Sequence, residues 1–100
     1  MEKENAKAPA SKLEFVTPSA GFDRAILLPK SGKVFSVRTP LGEDSIDATR
    51  LTEGDTSLYV VCLASVIGVI DGTRVLPDAL KKLHAKDYHA IVQLVGEEAF

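Results

Sequence analysis

Residues 66–76 have the sequence VIGVIDGTRVL, in which two short apolar runs flank the pair Asp71-Gly72. An Asp-Gly pair readily supplies the two positive φ angles that a two-residue turn between antiparallel strands requires. The runs on either side are rich in β-branched residues, which favour strands. This stretch therefore predicts a β-hairpin, and it is the strongest local structural signal in the chain.

A second hairpin is predicted upstream, between Ala25–Leu28 and Val34–Arg38. The five-residue spacer Pro29–Lys33 contains both Pro and Gly, which are typical of a hairpin loop. In the second strand, alternation places Phe35 and Val37 together on one face. The two hairpins together predict short antiparallel strands.

The first helix is predicted to follow the second of these strands. Thr39-Pro40 resembles a helix start, because a Thr hydroxyl can cap a helix and Pro suits its first turn. Gly54 is expected to end this helix. The apolar stripe along it is weak and consists of Leu41, Ile46 (or Ser45), Thr49 and Leu51.

The most apolar segment, Leu58–Ile70, is predicted to be the central core element. Asp55 or Thr56 can cap a helix running to about Ser65, which we expect to be followed by extended chain. A strand is the alternative, because the segment is rich in Val and Ile and periodicity alone does not separate the two. Its 13 residues are fewer than the roughly 20 that a membrane-spanning helix needs, so we expect no membrane role.

The last third of the chain predicts two more helices. Pro77 and Asp78 open a brief helical turn through Leu83, and Asp87 is expected to cap a final helix. That helix spans residues 88–100 and carries on one face Tyr88, Ile91, Val92 and Val95. The predicted fold class is α+β: one small domain, residues 22–100, with short antiparallel hairpins packed against about three helices.

Residues 1–21 are predicted to form a flexible N-terminal arm. They are rich in Ala, Lys, Glu, Ser and Pro and show no sustained apolar period, so they bury too little surface to offset the entropy of ordering. One small apolar patch, Leu13, Phe15 and Val16, interrupts the arm. The alternative is therefore a short strand or docking element that orders on the domain edge or on a partner.

Length and charge narrow the function classes. The 100 residues fit one domain, and the formal net charge of -2 lacks the basic excess that phosphate contacts require, so we expect no nucleic-acid partner. The first ten residues, MEKENAKAPA, lack the apolar core of a secretory signal. With a single cysteine and no internal disulfide, the chain is expected in the cytosol.

Few residues suggest chemistry. Cys62 lies in the most apolar run, where burial makes a thiol unreactive. His84, Asp87 and His89 are candidate metal ligands, but the two histidines are five residues apart and do not share a helical face. No glycine-rich phosphate loop is present. We therefore expect a non-enzymatic protein with no catalytic, cofactor or metal site.

Charged residues fall into two stretches. The acidic one, opposed only by Arg50, comprises Glu43, Asp44, Asp47, Glu53 and Asp55, and the basic one, opposed by Asp78, comprises Arg74, Lys81, Lys82 and Lys86. The simplest interpretation is solvated helix faces. The alternative is electrostatic steering of a protein partner, or self-association of acidic against basic faces.

The order of motifs resembles a known family. The block 26–34, ILLPKSGKV, followed by VRTP at 37–40 and LGED at 41–44, is similar to the opening of tail assembly chaperones of tailed phages. The Val69–Gly72 turn and the segment Leu83–Ile91 extend the resemblance, which covers about residues 24–100. It is a resemblance of order and spacing, and the long polar N-terminal arm departs from it.

This resemblance implies a non-enzymatic function in virus assembly, in the cytoplasm of the infected bacterium. Members of the family bind the tape-measure protein, keep its apolar helices soluble and help to recruit tail-tube subunits. Alternatives are a structural subunit of the tail or baseplate, or a host-directed interaction protein with a charged binding face.

A chaperone of apolar helices needs a surface that accepts anchors at helical spacing. The candidate partner-binding residues are the large apolar and aromatic side chains Phe35, Leu41, Leu58, Tyr59, Leu80, Leu83 and Tyr88. Each of them also suits a place in the core.

Overall fold

A five-stranded antiparallel sheet organises the residues that the computed structural model describes, 13–100. Its strands lie in chain order: β1 (Phe15–Val16), β2 (Arg24–Leu27), β3 (Val34–Val37), β4 (Gly68–Ile70) and β5 (Thr73–Arg74). Four α-helices accompany the described sheet: α1 (Gly42–Thr52), α2 (Tyr59–Ile67), α3 (Pro77–Leu80) and α4 (Ala85–Ala99). The predicted α+β class is confirmed.

Both predicted hairpins are present. β2 pairs with β3 in a register that joins Ile26 to Phe35, and β4 pairs with β5 across Asp71-Gly72. The φ angles of Asp71 and Gly72 are 51° and 82°, the two positive values that this turn requires. The loop chemistry of the sequence therefore placed both turns correctly.

The N-terminal arm begins to pack before residue 22. β1 pairs with β2, and the Ser19 backbone N–H donates to Ser36 Oγ at 3.1 Å. A short strand at the domain edge, the alternative interpretation of the arm, is therefore present within residues 13–21. Residues 1–12, the rest of the predicted arm, lie outside the described residues.

α1 begins two residues later than predicted. Leu41 is its N-cap, and the Leu41 N–H donates to the Asp44 carboxylate at 2.7 Å. Thr39 does not cap the helix, because its N–H and hydroxyl both donate to the Asp23 carboxylate, at 2.7 and 3.0 Å. The helix ends at Thr52, followed by Glu53 and Gly54 with positive φ, as the glycine predicted.

α2 lies at the centre of the core and packs against α1, α3 and α4. A single 3₁₀ turn, Thr56–Leu58, precedes it, with Asp55 as its cap. The helix continues to Ile67 and passes directly into β4, so the helix-then-extended prediction is confirmed over the strand alternative. Its buried residues join sheet and helix residues in one core cluster that includes Ile26, Phe35, Val37, Leu63 and Leu94.

α4 begins three residues earlier than predicted, and Asp87 is not its cap. The cap is His84, whose Nδ1 accepts the Lys86 backbone N–H at 3.0 Å. Asp87 lies one turn later, is buried, and accepts hydrogen bonds from the first hairpin loop. Of the predicted apolar face, Ile91 and Val95 are buried, whereas Tyr88 and Val92 are half-buried.

The longest helix of residues 13–100 is α4, with 15 residues. In that part of the chain, no helix combines the length and apolar character needed to cross a membrane.

Candidate protein-binding surface

A groove beside α3 carries exposed leucines and is called here the α3 groove. Its volume is about 360 Å³. The apolar residues that line it are Leu51, Leu58, Val61, Cys62, Leu76 and Pro77, and the polar ones are Thr52, Glu53, Asp78 and Lys81. Leu51 is 41% exposed and Leu76 is 62% exposed. These two side chains offer apolar surface that a partner can bury.

The packing of α1 explains why Leu51 faces the solvent. α1 buries the small side chains of Ala48 and Thr52, which lie on one helical face, instead of the predicted stripe of Leu41, Ile46 and Leu51. Small residues at a helix–helix contact let the backbones approach closely. The larger apolar side chains of α1 are therefore left outside the core, and Leu51 reaches the α3 groove.

Leu76 is exposed for a local reason. It is the N-cap residue of α3 and has an extended backbone, with ψ at 158°, because the next residue is Pro77. This conformation turns the chain out of β5 and into α3. Leu76 thereby lines the groove from the side of α3, and Leu51 lines it from the side of α1.

Cys62 also lines the α3 groove, and it is a core residue with 1% of its surface exposed. Desolvation by burial raises the pKa of its thiol, and nearby Lys81 opposes this only in part. A thiol with a raised pKa is a poor nucleophile. Cys62 is therefore a packing residue in the groove, as the sequence predicted.

A second cleft, called here the arginine cleft, adjoins the first because Leu51 lines both. Its volume is about 450 Å³, and its lining consists of Arg38, Asp44, Asp47, Arg50, Leu51, Val66 and Arg74. The charged residues belong to the end of β3, to α1 and to β5. Three guanidinium groups and two carboxylates thus share one cleft.

Arg38 and Asp44 form the strongest ion pair of the arginine cleft. Two parallel hydrogen bonds of 2.7 and 2.8 Å join the guanidinium to the carboxylate, which is 5% exposed. The hydrogen bond from Arg38 lowers the pKa of Asp44, despite opposing desolvation, and the same bond raises the pKa of Arg38. This geometry fixes Arg38 against the start of α1.

Arg50 and Arg74 are held much less firmly. Arg50 is 3.7 Å from Asp47, beyond hydrogen-bond distance, and its side chain is 78% exposed. Arg74 is exposed on the edge strand β5 and, within residues 13–100, has no carboxylate within 4.0 Å. Both guanidinium groups retain donors for an external acceptor.

The seven predicted partner-binding residues do not form one surface. Phe35 and Leu80 are each 1% exposed and belong to the core, so in this structure they offer no surface to a partner. Leu58 lines the α3 groove, while Leu83 and Tyr88 line a smaller cleft that also has Lys81 in its lining.

The other two predicted residues lie elsewhere. Leu41 is exposed at the start of α1, and the Tyr59 hydroxyl is 2.6 Å from Ser45 Oγ. Sequence reasoning missed Leu76 altogether and placed Leu51 on the packed face of α1. No periodic pattern in the sequence connects Leu51 with Leu76. They line the same groove because α1 and α3 both pack against α2.

The candidate metal ligands have separate structural uses. His84 caps α4 with its Nδ1, Asp87 is buried against the hairpin loop, and His89 is exposed. Across residues 13–100, no group of three or more His, Cys, Asp or Glu side chains is arranged to hold a metal ion.

Comparison with known proteins leaves the fold and the two clefts as the basis for assigning a function. No protein-family model, no curated protein and no solved structure matches this chain.

Proposed function

We propose that this chain is a non-enzymatic tail assembly chaperone that holds an apolar helical segment of a phage tape-measure protein in the α3 groove. In this proposal it acts in the host cytoplasm and helps to recruit tail-tube subunits. The observation that carries the proposal is the exposure of Leu51 and Leu76 on two sides of one groove lined by Val61 and Cys62. The ordered resemblance of residues 24–100 to tail assembly chaperones supports the same function.

The energetics of the groove suit reversible binding. Burying a leucine side chain completely is worth about 1.5–3 kcal/mol, and Leu51 and Leu76 each have part of their surface still to bury. Association costs several kcal/mol in lost freedom of motion, so these two leucines alone do not sustain a complex, and the other groove contacts must contribute, which keeps the affinity modest. A chaperone that releases its client during assembly needs such an affinity.

Co-expression with the tape-measure protein tests the proposal. We expect the full chain to raise the soluble yield of the tape-measure protein and to elute with it in size-exclusion chromatography. Leu76→Asp places a charge in the α3 groove and should abolish the complex. Ile46→Asp is the matched control, because Ile46 is 56% exposed and does not line the groove, and it should leave the complex intact.

Two results would reject the proposal. Absence of any complex with the unaltered chain would remove the tape-measure protein as the partner. Equal loss of the complex with Leu76→Asp and with Ile46→Asp would show that the tape-measure protein does not bind in the α3 groove.

An introduced thiol provides an independent measure of groove occupancy. Cys62 lines the α3 groove but is 1% exposed, so it reacts too slowly to report on a partner. Asp78→Cys places a thiol at a groove-lining position that is 88% exposed, and a partner helix seated there should slow its reaction with a small thiol reagent, compared with the free chain. An unchanged rate in a complex isolated by size exclusion would place the partner elsewhere on the surface.

Mass spectrometry of purified particles separates the chaperone from a structural subunit of the tail or baseplate. The chaperone proposal predicts that the chain is present in infected cells and absent from finished particles. Stoichiometric recovery from particles would favour the structural subunit.

A further inference from the structure

Three of the four arginines in the chain line the arginine cleft, and they differ in what they already bind. Arg38 directs both terminal nitrogens at Asp44, so its charge is already balanced by that carboxylate. Arg50 has only a 3.7 Å approach to Asp47, and Arg74 has no ion pair within the described residues. The cleft therefore presents two guanidinium groups with available donors.

The guanidinium groups select the chemical class of the ligand. Arginine offers a planar fork of N–H donors that fits the two oxygens of a carboxylate or of a phosphate. The three arginines and two aspartates that line the cleft sum to a single positive charge. One carboxylate balances that charge, whereas a phosphate group, at about -1.5 to -2, exceeds it and is repelled by Asp44 and Asp47.

We propose that the arginine cleft is a carboxylate-recognition site for an acidic side chain of a protein partner, with Arg50 and Arg74 as the binding residues. Arg38 is not assigned to the ligand, because it is already paired with Asp44. The inference deepens the proposed function and rests on it for the identity of the partner.

The shared residue Leu51 gives the two sites a fixed relationship. Leu51 lines both the α3 groove and the arginine cleft, so an apolar anchor and a carboxylate on one partner segment can be bound side by side. The apolar groove supplies affinity, and the arginine cleft rejects segments that lack the acidic residue at that position. The pair of sites thus sets the register and direction in which a helix is bound.

An NMR titration tests the carboxylate site without any partner protein. The ¹⁵N-labelled full chain is titrated with N-acetyl-glutamate methylamide while the arginine Nε–Hε resonances are followed. The Arg50 and Arg74 resonances should shift and saturate. Arg24 is the internal control, because its guanidinium is already held by Glu98 at 2.7 Å outside the cleft, and its resonance should not move.

Matched ligands and variants sharpen the titration. The neutral isostere N-acetyl-glutamine methylamide should produce no saturable shift, and inorganic phosphate should bind more weakly than the glutamate compound. Arg74→Ala should weaken glutamate binding about tenfold, the loss expected for one charge-assisted hydrogen-bonding group. Lys86→Ala, an exposed cation outside the cleft, should leave it unchanged.

The inference is overturned by an equal response of Arg24, by an equal response to the glutamine compound, or by tighter binding of phosphate. Its failure is distinguishable from failure of the proposed function, because the titration probes only the arginine cleft. A chain that captures the tape-measure protein but ignores the glutamate compound keeps the function and loses the carboxylate site.

Discussion

The carboxylate of Asp87 accepts the backbone N–H of Lys30 at 2.7 Å, across 57 residues of sequence. Its second oxygen accepts the N–H of the next residue, Ser31, at 3.1 Å. Asp87 belongs to the first turn of α4 and is 1% exposed, whereas Lys30 and Ser31 are exposed. A buried carboxylate therefore fastens the tip of the first hairpin to the start of the last helix.

Replacing Asp87 with asparagine should detach that hairpin tip. The amide of Asp87→Asn has one oxygen acceptor, so one of the two N–H groups then faces the amide NH₂ instead of an acceptor. We expect the free energy of unfolding to fall by about 2 kcal/mol. Urea unfolding measures this loss, and amide exchange at Lys30 and Ser31 should accelerate.

The control for this substitution is Asp78→Asn, at a carboxylate that is 88% exposed and forms a surface ion pair with Lys81. Its effect should stay within about 0.5 kcal/mol. Equal effects of the two substitutions would contradict a special contribution of the Asp87 contacts.

Gly68 should not tolerate even a methyl group. A Cβ there would lie 2.6 Å from two ring carbons of Phe35 and 2.9 Å from the Ala64 carbonyl oxygen. Phe35 is fully packed, so Gly68→Ala must displace it, and we expect a loss of about 2 kcal/mol in thermal or urea unfolding.

Gly96 offers the matched control. It lies within α4, and a Cβ there meets nothing within 4 Å. Gly96→Ala should stabilise the protein by about 0.5–1 kcal/mol, because alanine loses less entropy than glycine in a helix. Similar changes in the free energy of unfolding for Gly68→Ala and Gly96→Ala would show that the contact with Phe35 does not exclude a side chain at position 68.

Acid unfolding should depend on Asp44. Arg38 holds the pKa of Asp44 below its ordinary value, so the carboxylate adds stability above the unfolded-state pKa of about 3.9. That contribution is lost as the pH falls through the lower pKa of the folded state. Asp44→Asn should therefore cost about 2 kcal/mol at pH 7 and progressively less below pH 4.

Urea unfolding at a series of pH values measures this dependence. The unaltered chain and Asp44→Asn should converge in stability at low pH. The pKa of Asp55 is also lowered, by hydrogen bonds from Ser57, and this second titration should remain in the variant. A difference between the two chains that does not change with pH would contradict the ion-pair explanation.

Arg24 should control the attachment of β1. Its guanidinium carbon lies 4.5 Å from the centre of the Phe15 ring, and its Nη1 donates to Glu98 at 2.7 Å. Arg24→Ala removes a side chain that contacts both Phe15 of β1 and Glu98 at the end of α4, yet these groups are partly exposed, so global stability should fall by about 1 kcal/mol or less.

The clearer readout for Arg24→Ala is local. Amide exchange at residues 15 and 16 should accelerate, whereas exchange in β3 should not. Arg50→Ala, at an exposed arginine of α1, is the control. An unchanged amide exchange rate at residue 16 in Arg24→Ala would show that pairing with β2 alone holds β1 on the sheet.

The turns and the central helix were predictable because their signals are local. Asp71-Gly72 and the Pro29–Lys33 spacer fix the backbone over a few residues, and the all-round apolar character of Leu58–Ile70 permits only a buried position. The predictions were wrong where a side chain hydrogen-bonds to a residue far away in the sequence. Thr39 resembled a helix cap, but Asp23 takes both of its donors.

The candidate site was predictable only in part. Leu58 is among the predicted partner-binding residues and lines the α3 groove, whereas Leu76 is not among them, because a single leucine before a proline carries no signal of exposure. Asp44 was grouped with solvated acids, although its bidentate pair with Arg38 buries it. These properties arise from how α1 and α3 pack around α2, which one sequence does not specify by pattern alone.

The chain order of the strands has a consequence for folding kinetics. Three of the four strand pairings in the described sheet join segments separated by short loops, and such loops close in well under a microsecond. Only the pairing of β3 with β4 spans a long segment, residues 38–67, which contains α1 and α2. Closing that segment costs the most chain entropy, so the docking of α2 beside β3 is the expected rate-limiting step.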